Sequence, residues 1–373
     1  MTVSTEIIRV RRASDVAAAA AAGAAALREG KLVGFPTETV YGIAAVASRP
    51  EAMRRLRKIK SRPRHPFTVH LGSPEEVARY IAHLPGAGRR LIERTWPGPV
   101  TVLAATKGRL ADKAINTRQL RKVLCARRVI GLRCPDEPVA AAMLSAVDEP
   151  VVAPSANVRG APSPHTGEQV AAALDGKIDL LIDAGSTRFG TDSSIVRLTG
   201  TDWQVVREGA VGRQALADAM RVRIVFVCTG NTCRSPMAAG LARAMLADRL
   251  GCSVGQLAGK GYEVSSAGVF AAGGSPATAE ARQAAGKFGA DLSGHRSQKM
   301  GAELIKSADM VLCMTQTHVE AVRRVARSAG TKIRRLDEAA DIPDPVGGGA
   351  AVYRKTATKI RQALRNVLGK HIL

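Results

Sequence analysis

The chain has 373 residues, enough for two domains with separate cores, and it is strongly basic. Its 55 Lys and Arg residues outnumber its 32 Asp and Glu residues, giving a formal net charge of +23. No apolar run approaches the roughly eighteen residues that a membrane span needs, and no apolar stretch follows the N-terminus. We therefore expect neither a membrane anchor nor a secretion signal.

The charge and the cysteines limit the kinds of partner and compartment. Both halves of the chain are basic, which favours nucleic acid, nucleotides or phosphorylated proteins as partners. Compositional bias explains the charge equally well, because no single basic block marks a nucleic-acid groove. The six cysteines are scattered without a metal-ligand pattern, so we expect reduced thiols in a cytoplasm and no metal site.

The first half alternates apolar strands with helices. Ser14 and Asp15 are positioned to cap an alanine-rich helix that runs to Glu29. The segment 107–128 is basic and irregular, and we expect it to be a loop. Further helices are predicted over 50–60 and 139–147, and strands over 31–35, 129–133, 150–153 and 180–185.

Polar motifs follow several of these elements. The heptapeptide Pro36-Thr37-Glu38-Thr39-Val40-Tyr41-Gly42 crowds hydroxyls and a carboxylate at a strand exit, although a capped turn is an alternative explanation. Lys60 and Arg62 precede a proline-fixed loop and suit a phosphate or a carboxylate. Ser155 and Asn157 follow the strand 150–153, at an edge where open α/β sheets bind ligands.

Together these motifs resemble the L-threonylcarbamoyladenylate synthase (YrdC-like) family, over about residues 7–212. The resemblance implies a twisted α/β domain around a basic concave surface. It also implies synthesis of threonylcarbamoyl-AMP from threonine, bicarbonate and ATP, with Mg2+ on the phosphates. The product would serve to modify the adenosine beside the anticodon of tRNA, so tRNA or tRNA-modification proteins are the implied partners.

The resemblance also assigns site residues. Thr37 and Tyr41 are expected at the threonine and carbamoyl site, Lys60 and Arg62 on phosphate and carboxylate with Thr68 and His70 nearby, and Arg133, Ser155, Asn157, Ser193 and Arg197 on the nucleotide side. Three positions depart from the family pattern, namely His65, Glu137 and Ser194. Of these, Glu137 is the one expected to weaken anion binding.

The second half begins after a short helical connector, 213–221, and also alternates strand and helix. Strands are predicted over 223–227, 262–266 and 309–313, and helices over 236–250, 276–288, 317–327 and 350–368. This order is typical of a parallel sheet. The Cys228 loop would then lie at the carboxyl ends of the strands.

The loop from Cys228 to Pro236 combines a nucleophile with a phosphate-binding group. Loop N–H groups and a helix N-terminus converge there to form an anion site, and they stabilise a thiolate. Arg234 offers a planar fork for two phosphate oxygens. A buried cysteine beside an unrelated surface arginine is the alternative. Asp344, between two prolines, is the candidate proton donor, although Asp-Pro alone would indicate only a turn.

This half, over about 222–370, resembles low-molecular-weight protein-tyrosine phosphatases, whose fold is a four-stranded parallel sheet flanked by helices. The resemblance makes Cys228 the nucleophile, Arg234 the phosphate ligand and Asp344 the general acid and later base. It places Thr229, Gly230, Asn231, Thr232, Cys233 and Ser235 in the phosphate loop, with Ser266 and His295 in support. For His295 a purely structural role explains the residue equally well. We expect no cofactor for this half.

Within that superfamily the motifs look most like bacterial protein-arginine phosphatases. Thr232 offers a small hydroxyl to a guanidinium, and Val346 replaces an aromatic that walls a tyrosine pocket. Thr232 as a simple loop filler remains an alternative. An arsenate reductase would need relay cysteines; Cys313 could be one, but Glu320 stands where a second is expected.

The sequence therefore predicts a bifunctional cytoplasmic enzyme with a synthase domain (1–212), a connector (213–221) and a phosphatase domain (222–373). Phosphorylated proteins are the expected substrates of the second domain, with phosphoarginine favoured over phosphotyrosine. The competing hypothesis is a non-catalytic RNA-binding first half joined to a tyrosine phosphatase or an arsenate reductase.

Overall fold

The computed structural model describes residues 4–61, 65–199 and 202–371, and the chain forms two compact units, Met1–Met220 and Arg221–Leu373. Within those described ranges, no helix has both the length and the apolar character to cross a bilayer.

The first unit is a mixed α/β structure. Its helices are α1 (Val16–Arg28), α2 (Pro50–Lys60), α3 (Gly86–Thr95), α4 (Arg118–Leu124), α5 (Pro138–Ser145), α6 (Gly167–Leu174) and α7 (Arg213–Met220), with 3-10 turns at Ala13–Asp15 and Pro74–Arg79. Its strands are β1 (Glu6–Arg9), β2 (Val33–Phe35), β3 (Gly42–Val46), β4 (Val69–His70), β5 (Val100–Ala105), β6 (Cys125–Ala126), β7 (Val129–Arg133), β8 (Val151–Val152), β9 (Leu180–Asp183), β10 (Ser194–Thr199) and β11 (Asp202–Arg207).

Across the described residues these strands form one sheet in the order β1-β9-β2-β3-β8-β4-β7-β5-β10-β11, with β6 paired to β7. The sheet is mixed: β1–β9 and β4–β7 are among its parallel pairs, and β3–β8 and β5–β7 are among its antiparallel pairs. Two apolar clusters form the core, one of them centred on α1, α5 and the strands they cover. This strand order places β8, β4 and β7 side by side in the sheet.

Local chemistry explains where several helices begin and end. Helix α2 matches its predicted bounds because Pro50 occupies its first turn and Ser61, at φ 46°, ends it. The cap at Asp15 acts one turn earlier than predicted: its carboxylate accepts the N–H groups of Arg11 and Arg12 at 3.0 and 2.9 Å.

One segment differs from the sequence predictions, and a second agrees with them. The expected loop 107–128 contains helix α4, whose first turn is capped by the hydroxyl of Thr117, and strand β6. The segment 213–221, predicted as a short helical connector, does form a helix, α7, and this helix packs on α3: Arg90 Nε and Arg94 donate to the carbonyls of Met220 and Ala219 at 2.8 and 2.9 Å. Residues 213–220 therefore belong to the first unit.

The second unit is a parallel sheet with helices on both faces, as predicted. Its strands are β12 (Val222–Cys228), β13 (Tyr262–Gly268), β14 (Met310–Cys313) and β15 (Ile333–Arg335). Its helices are α8 (Arg234–Leu250), α9 (Ala279–Gly286), α10 (Ala302–Ser307), α11 (Gln316–Val325) and α12 (Ala350–His371), with 3-10 turns at Val254–Gln256 and Arg327–Lys332. Among the described residues the sheet has four strands in the order β13-β12-β14-β15, and every pairing is parallel.

The sequence did not predict α10 or β15. Both are short, and β15 carries two arginines in three residues, so neither shows a clear apolar period. All four strands run in the same direction, so the loop after β12 and the segments after β13, β14 and β15 meet at one edge of the sheet.

Candidate functional sites

The Cys228 loop connects β12 to the N-terminus of α8. Cys228 is buried, its Sγ lies 2.9 Å from the hydroxyl of Ser235, and it accepts the backbone N–H of Asn231 at 3.2 Å. Gly268 permits this packing, because a Cβ there would lie 2.6 Å from the carbonyl oxygen of Thr229. The Cys228 sulfur is thus surrounded by polar groups of its own loop.

Asn231 fixes the shape of this loop. Its φ of 57° is left-handed, and its Nδ2 donates to Ser235 Oγ at 2.8 Å and Ser266 Oγ at 2.9 Å. Its Oδ1 accepts the N–H of Gln298 at 2.8 Å, and its carbonyl lies 2.7 Å from His295 Nε2. Burial lowers the pKa of His295 and so favours a neutral ring. Ser266 and His295, the two predicted supporting residues, thus contact the loop through Asn231, and Gln298 contacts it as well.

Arg234 is buried at the start of α8 and joins the loop to Asp344. One terminal nitrogen contacts the Asp344 carboxylate and donates to Thr229 Oγ1 at 3.2 Å, and the other donates to the carbonyl of Ile342 at 3.3 Å. The side chain of Asp344 is 46% exposed, so a substrate can reach it. The site therefore combines a buried thiol, a cation with a planar fork and an accessible carboxylate.

The remaining loop residues are held by backbone and thiol contacts. The backbone N–H of Thr278 donates to the carbonyl of Thr232 at 3.0 Å. The side chain of Thr232 is half-buried. Cys233 Sγ lies 3.4 Å from Tyr353 Oη and 3.7 Å from Thr278 Oγ1. Gly230 adjoins Thr232, and all six cysteines are free thiols.

His318 belongs to this site and was missed at the sequence level. Its Nε2 lies 2.9 Å from Thr229 Oγ1, and its Nδ1 lies 2.7 Å from Thr315 Oγ1. The available signal was its place just after β14, at the carboxyl edge of a parallel sheet, where polar side chains converge on a ligand.

In the first unit, Arg133 organises a buried polar cluster. Its guanidinium donates to Thr39 Oγ1 at 2.5 Å and Thr37 Oγ1 at 3.4 Å and lies 3.0 Å from Glu38 Oε1. Burial lowers the pKa of Arg133, and the negative charge of Glu38 acts in the opposite direction. Burial, and then the charge of Arg133, also lowers the pKa of the neighbouring His70 to about 3. The cluster therefore presents a cation and hydroxyls beside an uncharged imidazole.

Tyr41 is buried, and its hydroxyl is bound to the backbone. It donates to the carbonyl of Gly185 at 2.7 Å and accepts the N–H of Ala184 at 3.1 Å. Burial raises the pKa of Tyr41. These two contacts give the hydroxyl a structural role in the turn after β9, in addition to any contact with a ligand.

Lys60, at the end of α2, lies with Ser155 and Asn157. Its ammonium donates to the carbonyls of Ser155 and Asn157 at 2.9 and 2.6 Å and to Asn157 Oδ1 at 2.7 Å. Ser155 Oγ donates to the same amide oxygen at 2.6 Å. The three predicted residues thus form one hydrogen-bonded group at the exit of β8.

Ser193 is buried at the start of β10. Its hydroxyl lies 2.9 Å from Thr101 Oγ1 and 3.2 Å from the guanidinium of Arg207. Arg207 also contacts Asp192 at 3.0 Å. The Arg207–Asp192 ion pair is a feature of this region that the sequence did not indicate.

A cavity of about 820 Å³ lies against β5, β7 and β10, and we call it the arginine cavity. It is lined by Ser61, His65, Pro66, Phe67, Thr68, Leu103, Ala126, Arg127, Val129, Gly131, Arg159 and Arg197. Arg197 was predicted for the nucleotide side and Thr68 for the neighbourhood of Lys60 and Arg62, whereas Arg127 and Arg159 were not predicted. Arg62 lies outside the described residues. Three arginines, Arg127, Arg159 and Arg197, therefore line one concavity.

The three departures from the family pattern have separate structural explanations. Glu137 accepts the N–H of Ala140 at 2.6 Å and so caps α5, and burial raises its pKa. Ser194 Oγ accepts the N–H groups of Gly209 and Val211, each at 3.0 Å. His65 lines the arginine cavity. The carboxylate of Glu137 is thus engaged with a helix N-terminus.

Comparison with known proteins divides the chain in the same way. Residues 25–209 match the family model described as "Telomere recombination" (Sua5, YciO and YrdC), and residues 223–372 match "Low molecular weight phosphotyrosine protein phosphatase". The structure of a Sua5 variant from P. abyssi matches 96% of this chain and 97% of its own, with a TM-score of 0.50 and 22% identity. That match indicates a likeness of fold alone.

Sequence relatives fall into two groups. The threonylcarbamoyl-AMP synthase of Pyrococcus abyssi is 33% identical over 58% of this chain, and the putative one of Mycobacterium tuberculosis (strain H37Rv) is 32% identical over 53% of this chain and 87% of its own length. The protein-arginine-phosphatase of Bacillus subtilis is 37% identical over 39% of this chain and 93% of its own length.

The chain spans only 61%, 55% and 49% of the length of the synthases of P. abyssi, B. subtilis and Schizosaccharomyces pombe. The shorter synthase relative and the phosphatase relative are covered almost completely. The chain therefore belongs to the threonylcarbamoyl-AMP synthase (Sua5/YrdC) family through residues 25–209 and to the low-molecular-weight phosphatase family through residues 223–372.

Proposed function

We propose that the chain is a bifunctional enzyme whose first unit makes L-threonylcarbamoyl-AMP. The amine of threonine would attack the carbon of bicarbonate, and an oxygen of the resulting carbamate would displace diphosphate from the α-phosphate of ATP, with loss of water. No protein nucleophile is needed, so the residues act by positioning and charge neutralisation. The synthase names of the sequence relatives support this assignment.

The observation that carries this half of the proposal is the placement of cations. Lys60 and Arg133 are buried, and each is surrounded by polar groups. Three more cations, Arg127, Arg159 and Arg197, line a cavity that is large enough for a nucleotide. Among the described residues, no group of three His, Cys, Asp or Glu side chains could hold a metal ion. We expect Mg2+ to arrive as the ATP complex.

Release of diphosphate from ATP, dependent on both threonine and bicarbonate, tests this activity in the full chain. Lys60→Ala should abolish it, whereas Lys58→Ala, on the exposed side of the same helix, should behave as wild type. Absence of diphosphate release in the wild type, with Lys60→Ala indistinguishable from it, would refute the assignment.

We propose that the second unit hydrolyses phosphorylated proteins through a cysteinyl-phosphate. Cys228 would attack phosphorus while Arg234 binds the phosphoryl oxygens and Asp344 protonates the leaving group. Asp344 would then deprotonate the water that hydrolyses the intermediate, and Ser235 would donate to the returning thiolate. The contacts of Cys228 with Ser235, and of Arg234 with Asp344, support these roles.

Turnover of an aryl phosphate by the full chain tests the second activity. Cys228→Ser should abolish turnover, and Asp344→Asn should lower kcat about 10²–10⁴-fold, the usual contribution of a general acid. Retention of full activity in Cys228→Ser would refute the covalent mechanism.

We propose phosphoarginine as the favoured substrate. Thr232 offers a hydroxyl where a bulky aliphatic side chain would favour a phenyl ring, and Val346, 68% exposed two residues after Asp344, gives no aromatic wall. The name of the B. subtilis relative agrees. Wild type should prefer phosphoarginine over phosphotyrosine, and Thr232→Ile should shift the preference toward phosphotyrosine; the reverse order in the wild type would contradict the proposal.

The alternative functions make different predictions. The arginine cavity and the charge of +23 also suit a non-catalytic RNA-binding first unit, which would bind tRNA tightly without releasing diphosphate. An arsenate reductase needs a second reactive thiol, but Cys313 is buried and burial raises its pKa to about 12. The six free thiols fit a cytoplasmic location, with tRNA or its modification proteins as partners.

A further inference from the structure

Four polar side chains form a continuous line from helix α11 to the phosphate-binding arginine. Thr315 Oγ1 lies 2.7 Å from His318 Nδ1, and His318 Nε2 lies 2.9 Å from Thr229 Oγ1. Thr229 Oγ1 in turn accepts from Arg234 at 3.2 Å. Thr229 directly follows the nucleophile, so the line ends at the Cys228 loop.

We propose that His318 is a positioning residue: through Thr229 it holds the guanidinium of Arg234 in place to bind the phosphate oxygens of the substrate. The inference rests on the proposed phosphatase function of the second unit, which it deepens. His318 itself touches neither substrate nor the reacting sulfur in this scheme.

The partners of Arg234 show why this contact matters. Two of them, Asp344 and the carbonyl of Ile342, belong to one loop after β15. In the proposed mechanism the carboxyl group of Asp344 protonates the leaving group, and to do so it must turn away from Arg234. The Thr229 hydroxyl is the partner supplied by the nucleophile loop, so it keeps one N–H of the fork in place while Asp344 is engaged elsewhere.

The His318 ring is itself fixed by its helix. Thr315 caps α11, and its Oγ1 accepts the backbone N–H of His318 at 3.3 Å while contacting the ring Nδ1. The ring is buried, so the two nitrogens are committed to Thr315 on one side and Thr229 on the other. Such a doubly held ring fixes the position of the Thr229 hydroxyl.

The charge state of the ring suits this role. Burial, and then the positive charge of Arg234, lowers the pKa of His318 to about 4, against the opposing effect of Asp344 and Asp341. The ring is therefore neutral near pH 7. A neutral ring contacts Thr229 without repelling the guanidinium that shares the same hydroxyl.

The experiment measures oxyanion binding and turnover in the full chain. We expect His318→Ala to raise both the KM for an aryl phosphate and the inhibition constant of inorganic phosphate about tenfold, with a smaller fall in kcat. His318→Gln places an amide near Nε2 and should restore most of the affinity. Glu320→Ala, an exposed change on the same helix, should leave both constants unchanged.

Two further measurements separate positioning from folding. Because His318 acts through Thr229, His318→Ala combined with Thr229→Val should bind phosphate no more weakly than the worse single variant. Additive losses would overturn the inference. Wild-type phosphate affinity in a folded His318→Ala, or a loss that follows only the unfolded fraction seen by circular dichroism, would also overturn it.

Phosphate binding is also measured by calorimetry in a Cys228→Ser background, where no turnover occurs. If the wild type lacked phosphatase activity but His318→Ala still weakened phosphate binding in that background, the proposed function would fail while the positioning role stood. If the wild type turned over substrate and His318→Ala matched it in every constant, the inference alone would fail.

Discussion

The hairpin between β6 and β7 places two consecutive arginines in the left-handed region. Ala126 pairs with Val129, so Arg127 and Arg128 form a two-residue turn, at φ 48° and 64°. Turns of this kind favour Asn-Gly, because both central residues need positive φ. Arg127 lines the arginine cavity, whereas the Arg128 side chain lies over Gly108.

Replacing either arginine by glycine should stabilise the first unit. Left-handed backbone costs a non-glycine residue about 1–2 kcal/mol, and the greater freedom of glycine in the unfolded chain offsets about 0.5–1 kcal/mol of that gain. The net expectation is roughly 0.5–1 kcal/mol for each substitution, or about 1–4 °C in the melting temperature of a unit of this size. The two variants should therefore be similar in stability.

The two variants should differ in nucleotide binding. Arg127→Gly removes a cation from the cavity, and loss of one hydrogen bond to a charged group corresponds to about a tenfold rise in the KM for ATP. Arg128→Gly should leave that KM unchanged and so serves as the control. Scanning calorimetry and diphosphate release measure the two effects. Destabilisation by both glycines would refute the strain argument, and unchanged ATP binding in Arg127→Gly would refute the role of the cavity.

Three further substitutions test other contacts. Tyr41→Phe removes two hydrogen bonds to the backbone and should cost about 1–3 kcal/mol of stability; a rise in the KM for threonine without any change in melting temperature would instead show a ligand-binding role. The pKa of His70 is about 3 in the folded chain, below its value of 6.5 in the unfolded chain. As the pH falls, the unfolded chain therefore binds this proton first. The free energy of unfolding should decrease as the pH drops from about 6.5 toward 3. His70→Gln should flatten that acid limb in calorimetric scans, and an unchanged limb would contradict the assignment. Glu137→Ala removes the cap of α5 and should cost about 1 kcal/mol by chemical denaturation, while Glu137→Gln, which keeps an acceptor, should cost less. Unchanged stability in Glu137→Ala would show that the cap contributes nothing.

The sequence predicted best what is coded by contiguous residues. Helix α2 had the predicted bounds, because Pro50 and the helix end at Ser61 are local signals. The residues of the Cys228 loop also lie next to one another in the chain. Helix α4 was missed because only Leu120 and Leu124 are buried along it, too few to establish a period.

Residues that meet only through the fold were harder to predict. His318 lies far from the Cys228 loop in sequence and reaches it only because parallel strands bring the ends of β12 and β14 together. Tyr41 was predicted for the threonine and carbamoyl site, and the contacts of its hydroxyl with the turn after β9 were not predicted. Those contacts depend on the pairing of β9 with β2, which no local pattern specifies.

The hydrogen bonds of Asn231 tie the reactivity of the second unit to its folding. The same side chain that shapes the loop around the Cys228 sulfur joins α8 through Ser235, β13 through Ser266 and the segment before α10 through Gln298. A local opening of any of these segments would release the loop, and the Cys228 sulfur would lose its polar contacts before the unit as a whole unfolds. The rate at which an alkylating reagent modifies Cys228 is thus a measure of local stability, and substitutions remote from the sulfur should change nucleophilicity and stability together.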